Sequence, residues 1–320
     1  MVATLWRIAI GAATLLAVLV INFLLLSFAP GDAADVFAAM SGGASAEQIA
    51  AFRLQHGLDQ GILVQLVFYL KQMLSGNFGQ SLFYGQPVLD LVLRRVPATI
   101  LLVMPSIVLA VLFGTLLGVF TARRQDSHAG TLVTVLSLIG FAAPVFWTGL
   151  VLLIVFASWV PIFPAAGMSS LDDRAPLYLR AIDTLHHLVL PMVTLSLVYL
   201  AQYSRQARAS MVDVIVSDYI RTARAKGLRE GAVYYRHALR NAILPIVTLA
   251  GLQFAQVLAG AVLVETVFSW PGLGRMAFDA VLNRDFPLML GILFFSSVIV
   301  VAVNILTDML YAVLDPRIRR

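Results

Sequence analysis

Residues 218–245 read DYIRTARAKGLREGAVYYRHALRNAILP, a basic polar stretch between two long apolar segments. Ser217 is predicted to cap a short helix, and Asp218 lies in its first turn, where the positive end of the helix dipole favours an anion. Gly227 predicts the end of that helix, because glycine adopts the left-handed backbone conformation at little steric cost. The pattern therefore predicts a helix over residues 218–226.

This helix combines small residues with a surround of positive charge. One predicted face, at i, i+3, i+4 and i+7, carries Tyr219, Thr222, Ala223 and Lys226. The small residues, which let another backbone approach closely, are Ala223, Ala225 and Gly227. The basic residues around them are Arg221, Arg224, Lys226 and Arg229. Charge alone is typical of any loop beside a membrane span, but the small residues, the helix end and the return to apolar sequence at Pro245 favour a more specific role.

The composition is that of a polytopic helical membrane protein. Of the 320 residues, 60% are hydrophobic and 12% are charged, against about 25% charged in ordinary soluble domains. There is no cysteine, so neither disulfides nor thiolate metal sites are possible. The net charge of +5 does not indicate nucleic-acid binding, because the positive charges lie in loops between apolar segments.

Six apolar segments are predicted to cross the membrane, for which about 20 residues suffice. They are residues 5–28, 97–122, 131–159, 186–204, 241–268 and 287–314. The first exceeds the roughly 7–15 apolar residues of a secretory signal peptide, so we interpret it as a retained span. Residues 32–96 are predicted to be mostly extramembrane, because the apolar run at 62–74 is too short to cross.

Several local signals predict how these segments fold and pack. Pro144 lies within the third span and predicts a kink. Gly114 and Gly118 form a small-xxx-small pair, which we interpret as a site of close helix packing. Ser45 is predicted to cap a helix at residues 46–56, and residues 76–81 have the composition of a turn.

The distribution of basic residues predicts the orientation. Six spans place both termini on one side, and most of the 22 Lys and Arg residues fall on that side, chiefly in the basic stretch, the Arg123-Arg124 turn and the C-terminal tail. Positively charged loops stay in the cytoplasm. Both termini and the basic stretch are therefore predicted to be cytoplasmic.

The sequence contains no motif of an enzyme active site. It has no G-x-x-x-x-G-K-[ST] phosphate loop, so the chain is not expected to bind or hydrolyse ATP itself. It also lacks H-E-x-x-H, a Cys/His cluster and G-x-S-x-G. His186 and His187 are neighbours that point about 100° apart on a helix, which makes them poor joint metal ligands.

Polar residues inside the spans are candidates for a transport pathway, because such groups are costly in lipid and usually face protein or water. They are Asn22, Gln202, Gln253, Gln256, Asn304 and Asp308. Gln253 and Gln256 are three residues apart, which suits either joint lining of a pathway or hydrogen bonds between helices. Asp308 lies near the cytoplasmic end of its span and is expected to pair with an arginine.

The basic stretch resembles the cytoplasmic "EAA" loop of permease subunits in binding-protein-dependent ABC importers. It is most similar to the dipeptide/oligopeptide/nickel branch, whose version runs close to YxRTARAKGL…HALRNA…LP. Thr222 stands where the general pattern has Glu, and Pro245 lies further from Gly227; both departures fit this branch and argue against a sugar-importer permease. Further similarity lies at residues 29–32, 56–59 and 76–81, in the E-x-x-F-x-x-P-G-x-G run at 265–274, and at Asp308 and 315–317.

The resemblance implies an all-α polytopic protein of the bacterial inner (cytoplasmic) membrane, with six transmembrane helices and the type I ABC importer permease fold. Its implied parts are a first transmembrane helix (1–29), an external periplasmic subdomain (30–96) and a five-helix core (97–320) with a cytoplasmic coupling loop (205–240). The implied coupling helix, which docks on an ATPase, comprises Tyr219, Arg221, Thr222, Ala223, Arg224, Ala225, Lys226, Gly227 and Leu228. The candidate pathway and external-gate residues are Gln253, Gln256, Glu265, Phe268, Pro271, Gly272 and Gly274.

The implied function is ATP-driven import of di- or oligopeptides by alternating access, in which this chain forms half of the pathway. The implied partners are a second, different permease subunit, two ATPase subunits that hold ATP and Mg, and an external solute-binding protein. This chain is expected to be no enzyme and to bind no cofactor or metal. Nickel chelates or other small solutes of the same branch are the alternative cargo.

Two other classes of protein are compatible with a polytopic chain. A secondary transporter, independent of any ATPase, would need intramembrane ionisable groups for a coupling ion, and these are sparse here. A membrane enzyme would need a reactive constellation of side chains, and the sequence contains none that we can identify.

Overall fold

The computed structural model describes residues 2–28, 45–55, 60–124, 127–172 and 174–314. Three of the segments that resemble the permease family, 29–32, 56–59 and 315–317, lie outside these ranges. Residues 30–44 of the predicted external subdomain also lie outside them. Within the described ranges the chain is helical, and the one pairing between extended segments is an antiparallel bridge between Gln80 and Pro87. The predicted all-α class is confirmed.

The described chain contains eleven helices. They are α1 (Val2–Phe28), α2 (Ala46–Gln55), α3 (Ile62–Leu74), α4 (Val88–Arg123), α5 (His128–Ala142), α6 (Val145–Trp159), α7 (Leu177–Ile215), α8 (Asp218–Ala225), α9 (Glu230–Val267), α10 (Leu273–Leu282) and α11 (Phe286–Leu314). α6 ends in a π-helical turn, Ile154–Trp159, and α9 contains another, Val233–Ala238.

Four helices of the described chain are long and apolar enough to cross a membrane: α4, α7, α9 and the Phe286–Met309 part of α11. They overlap the second, fourth, fifth and sixth predicted spans, and α4, α7 and α9 begin about ten residues before the predicted starts. The apolar part of α1, Ala9–Leu25, and the helices α3, α5 and α6 are shorter. For α3 this agrees with the prediction that residues 62–74 do not cross.

The third predicted span is broken rather than kinked. α5 ends at Ala142, Ala143 and Pro144 are extended with ψ angles of 131° and 137°, and α6 starts at Val145. A proline disfavours the helical conformation of the residue before it. The helical segment is therefore interrupted at the predicted proline, but by a break between two helices rather than by a kink.

The chain divides into two compact units. The first comprises Met1–Arg95 and Ala277–Val301, and the second comprises Val96–Met276 and Ala302–Arg320. α4, α10 and α11 contribute residues to both. The first unit thus includes a late segment of the chain that the sequence analysis assigned to the permease core.

In the first unit, the loop between α3 and α4 is held by a buried carboxylate. Asp285, which is fully buried, accepts a hydrogen bond from the Ser81 hydroxyl and one of 3.2 Å from the Leu288 N–H at the start of α11. Phe78 of the same loop packs on Phe295, with ring centroids 4.9 Å apart. The predicted turn is therefore a fixed part of this unit.

Ser45 caps α2 as predicted. The Gln48 N–H donates to the Ser45 hydroxyl oxygen at 3.3 Å, and the Ser45 N–H donates to the Gln48 side-chain oxygen at 2.9 Å. This reciprocal pair is a capping box.

In the second unit, α4 packs on α7 through two glycines. A Cβ at Gly114 would lie 2.7 Å from the Cβ of Tyr203, and one at Gly118 would lie 2.5 Å from the Cβ of Ala207 and from the Ser204 carbonyl oxygen. Real side chains do not approach so closely, so only glycine allows these two backbones their present separation. The packing interpretation of this pair is confirmed.

Candidate functional site

α8 lies on a buried base formed by the ends of longer helices. Its inward side chains, Ile220 and Ala223, are only 0% and 6% exposed. The apolar residues packed with them are Val119 and Ala122 of α4, Met211 of α7, and Val233, Ala238 and Ala242 of α9. The small side chain of Ala223 thus serves the close approach of helices within this chain, and it is not on the outer face of α8.

The two ends of α8 are formed differently from each other. Ser217 occupies the predicted N-cap position, but its hydroxyl donates to the Val214 carbonyl at 2.6 Å instead of accepting from the helix. At the other end Gly227 has φ +75°, and the Leu228 N–H reaches the Ala223 carbonyl at 3.4 Å. This is a Schellman ending that requires a left-handed residue. The predicted helix end at Gly227 and the predicted N-cap position of Ser217 are confirmed, although the Ser217 side chain makes no capping hydrogen bond.

Two side-chain contacts attach α8 to α9. Arg224 donates from Nε to one Glu230 oxygen at 3.0 Å and from a terminal nitrogen to the other at 3.4 Å. The hydrogen bond to Glu230 raises the pKa of the Arg224 guanidinium above its ordinary value, so this group stays charged. The Asn241 amide donates to the Tyr219 hydroxyl at 2.8 Å. Neither contact follows from the local sequence pattern.

The outer side of α8 and the turn after it form a surface, which we call the basic surface. It consists of the exposed residues Tyr219, Arg221, Thr222, Arg224, Ala225, Lys226, Gly227, Leu228 and Arg229. A Cβ at Gly227 would meet nothing within 4 Å, so the space above it is open. The structure thus gathers the predicted coupling-helix residues, apart from Ala223, on one accessible cationic patch.

A second cluster lies where α9 ends. We call residues 265–275 the Glu265 turn. The fully buried Glu265 carboxylate accepts from the Thr99 hydroxyl at 2.7 Å and from the Arg275 N–H at 3.0 Å, and Thr99 in turn accepts from the Leu273 N–H at 2.7 Å. Trp270, also fully buried, donates from its indole N–H to the Ala98 carbonyl at 2.8 Å. A carboxylate at the first turn of α10 satisfies free N–H groups and complements the helix dipole.

The glycines of this turn are required by the carboxylate and by α9. A Cβ at Gly272 would overlap the Glu265 carboxylate, and one at Gly274 would lie 2.6 Å from the Val262 Cα. The predicted gate residues Glu265, Phe268, Gly272 and Gly274 are all buried, and Pro271 is partly buried. In this conformation they hold the turn against α4; a gating role remains a prediction.

The two glutamines proposed for the pathway have different surroundings. Gln253 is buried and Gln256 is exposed, so they do not line one surface in this conformation. The buried polar atoms without a hydrogen-bond partner in the described chain are the Gln253 Oε1, the Tyr203 hydroxyl and the Thr115 hydroxyl.

Replacing Tyr203 by phenylalanine is expected to leave the free energy of unfolding unchanged or to raise it by about 1 kcal/mol, because a buried hydroxyl without a partner costs desolvation free energy. Tyr199→Phe is the matched control, since the Tyr199 hydroxyl donates to the Gln256 carbonyl at 2.9 Å. That change is expected to destabilise by about 1 kcal/mol. The melting temperatures of the two purified variants test this difference. An equal decrease in melting temperature in both variants would contradict the statement that the Tyr203 hydroxyl has no hydrogen-bond partner.

No metal site is formed by the described residues: they contain no group of three or more His, Asp or Glu side chains placed to hold an ion. The His186 Nε2 lies 2.8 Å from the Ile162 carbonyl oxygen, and the His187 Nδ1 lies 2.8 Å from that of Asp183. The two rings thus contact separate carbonyls and do not converge on one point.

Long apolar helices with a cationic surface at their ends define a multi-pass helical membrane protein. The fold is shared with a chain of the structure titled "Inward facing conformations of the MetNI methionine ABC transporter: CY5 native crystal form", with a TM-score of 0.57, 15% identity, and coverage of 70% of this chain and 96% of that one. This likeness concerns the fold alone.

The chain belongs to the family described as "Binding-protein-dependent transport system inner membrane component", which matches residues 114–320. Residues 1–103 match the N-terminal family of the same systems, "Binding-prot-dependent transport system membrane comp, N-term". The chain is therefore a membrane component of a transport system that works with a binding protein.

Two relatives cover nearly the whole chain. It is 38% identical over 305 residues to the oligopeptide transport system permease protein AppB of Bacillus subtilis, covering 95% of each chain. It is 41% identical over 298 residues to the probable peptide ABC transporter permease protein y4tP of Sinorhizobium fredii, covering 93% of this chain and 92% of that one.

Proposed function

We propose that this chain is one of two permease subunits that form the pathway of an ABC importer for peptides, and that its basic surface docks on a separate ATPase subunit. The observation that carries the docking role is the form of α8: its inner face is fixed on a buried base, while its outer face is open, cationic and built partly of small residues. The names of the two relatives support peptides over nickel chelates as cargo.

The proposed topology has six spans, with α5 and α6 together crossing once as a broken helix and with α1 as the first span. Both termini and the basic surface then lie in the cytoplasm, as the distribution of Lys and Arg favours, and the region between α1 and α4 lies outside. The proposed partners are a second, different permease subunit, two ATPase subunits that carry ATP and Mg, and an external solute-binding protein.

The proposed mechanism is alternating access. ATP closes the ATPase pair, the docked α8 moves with it, and the shared base passes this movement to α4, α7 and α9. The ATPases must bind the two states of the permease with different affinities, or no equilibrium shifts. A differential affinity of about 5.5 kcal/mol is enough to move the balance from 1:99 to 99:1.

The docking role is tested by placing a charge at Gly227. Gly227→Asp is expected to abolish co-purification with the ATPase subunits and peptide uptake, because it puts an anion into a cationic contact made at close range. Gly227→Asn is the matched control: both residues tolerate the φ of +75° and have nearly the same size, but asparagine is neutral.

We expect the asparagine variant to retain most of the association and the aspartate variant to lose it. Normal assembly and normal ATP-driven uptake in Gly227→Asp would overturn the docking role. Equal loss in both variants would mean that space rather than charge decides the contact.

A further inference from the structure

The two attachments of α8 to α9 lie on opposite sides of a π-helical turn. Glu230, which binds Arg224, is the first residue of α9; Asn241, which binds Tyr219, follows the π-helical turn Val233–Ala238. α8 therefore runs alongside this turn and is fixed to α9 both before and after it.

A π-helical turn is a place where a helix can change its register. It holds one residue more than an α-helical turn and occurs frequently at functional sites. Conversion to α-helical geometry would rotate the following helix by about 100° and shift it by about 1.5 Å. An unclamped π-helical turn between α8 and the membrane part of α9 would thus absorb an applied movement instead of passing it on.

We propose that Glu230 and Asn241 are positioning residues that clamp α8 across the π-helical turn of α9, so that a movement of α8 reaches the membrane part of α9. This inference rests on the proposed docking of α8 on an ATPase. It adds to that docking a specific route for the movement, through two side chains of α9 that bind α8.

The two contacts are solvent-exposed, so the proposed clamp can be distinguished from a contribution to the folding stability. The Arg224 and Glu230 side chains are 39% and 49% exposed, and exposed ion pairs contribute little to folding stability. α8 is held in place chiefly by Ile220 and Ala223 in the buried base. Breaking a clamp contact is therefore expected to change energy coupling far more than stability.

The test uses the full complex, with both permease subunits and the ATPases, in liposomes. Peptide uptake and ATP hydrolysis are measured for Glu230→Gln and Asn241→Ala. Each is expected to bind the ATPases normally and to lower the number of peptides taken up per ATP several-fold, because one of the two connections between α8 and α9 is lost.

The matched control is Asp218→Asn, which removes an exposed ion pair to Arg221 of 3.7 Å within α8 itself. It does not connect α8 to α9, so it is expected to leave uptake per ATP unchanged. Unchanged coupling in Glu230→Gln and Asn241→Ala would overturn the clamp. Loss of ATPase binding in these variants would also overturn it, because the contacts would then serve docking. Failure of the wild-type chain to bind an ATPase would instead overturn the proposed function.

Discussion

Replacing Gly272 by alanine is expected to destabilise the protein strongly in the wild-type background and only slightly when Glu265 is also alanine. A Cβ at Gly272 would overlap the Glu265 carboxylate. That carboxylate cannot swing aside, because Thr99 and Arg275 hold its two oxygens at 2.7 and 3.0 Å. The backbone at Gly272 does not itself require glycine, since its φ is not positive.

The expected magnitudes separate the two effects. Overpacking of this kind costs about 1–3 kcal/mol. Glu265→Ala alone removes the acceptor of the buried Thr99 hydroxyl and of the partly buried Arg275 N–H, and a buried donor left unpaired costs about 1–3 kcal/mol. If the clash is the cause, the double variant is more stable than the sum of the single changes predicts, by the cost of the overpacking. Melting temperatures of the four proteins, purified under identical conditions, complete the cycle.

Gly274→Ala is the control for this cycle. Its Cβ would lie 3.0 Å from a Glu265 carboxylate oxygen but only 2.6 Å from the Val262 Cα, a backbone atom that Glu265→Ala does not remove. It is therefore expected to remain destabilising in both backgrounds. If Gly272→Ala costs the same with and without the carboxylate, the contact between the two is not what excludes a side chain at this position.

The Glu265 turn illustrates what the sequence could not predict. A carboxylate near the end of a span is costly in lipid, and its usual explanation is a functional pathway. In the structure Glu265 is satisfied by the first turn of α10 and by Thr99, which is 166 residues away in the chain. Neither the start of α10, within a Gly- and Pro-containing run, nor the long-range contact follows from a local pattern.

Predictions that depend on the backbone conformation of one residue, or on two residues close together in sequence, were more successful than those that depend on contacts between distant residues. The helix end at Gly227, the helix cap at Ser45 and the packing of Gly114 and Gly118 are confirmed. Contacts across a chain reversal were missed: Arg224 and Glu230 are six residues apart and meet because the chain turns at Gly227, whereas the usual helix pairs are three or four apart.

The π-helical turn in α9 and the break before Pro144 show a different limit. Both are interruptions of a helix. The apolar periodicity over residues 131–159 or 230–267 is nearly the same whether or not a turn contains one extra residue or a short segment is extended. The proline marked the position of the break correctly. Whether the helix bends or separates there depends on the packing around it, which the local sequence does not contain.

Replacing Gly118 by alanine is expected to lower the melting temperature by several degrees and to weaken association with the ATPases. The new Cβ would lie 2.5 Å from the Cβ of Ala207 and from the Ser204 carbonyl oxygen. Neither atom can move by a rotamer change, so α4 and α7 must separate, at a cost of about 1–3 kcal/mol. The residue after Gly118 is Val119, which belongs to the base beneath α8, so the displacement reaches the docking helix.

Gly140→Ala is the matched control, because it makes the same change inside α5 at a position with nothing within 4 Å of the new Cβ. Alanine is a better helix former than glycine by about 1 kcal/mol, so this variant is expected to be as stable as the wild type or slightly more stable. The opposite signs of the two changes distinguish a steric contact from a general intolerance of alanine in membrane helices. A Gly118→Ala protein that melts and assembles like Gly140→Ala would show that α4 and α7 are not in contact at this glycine.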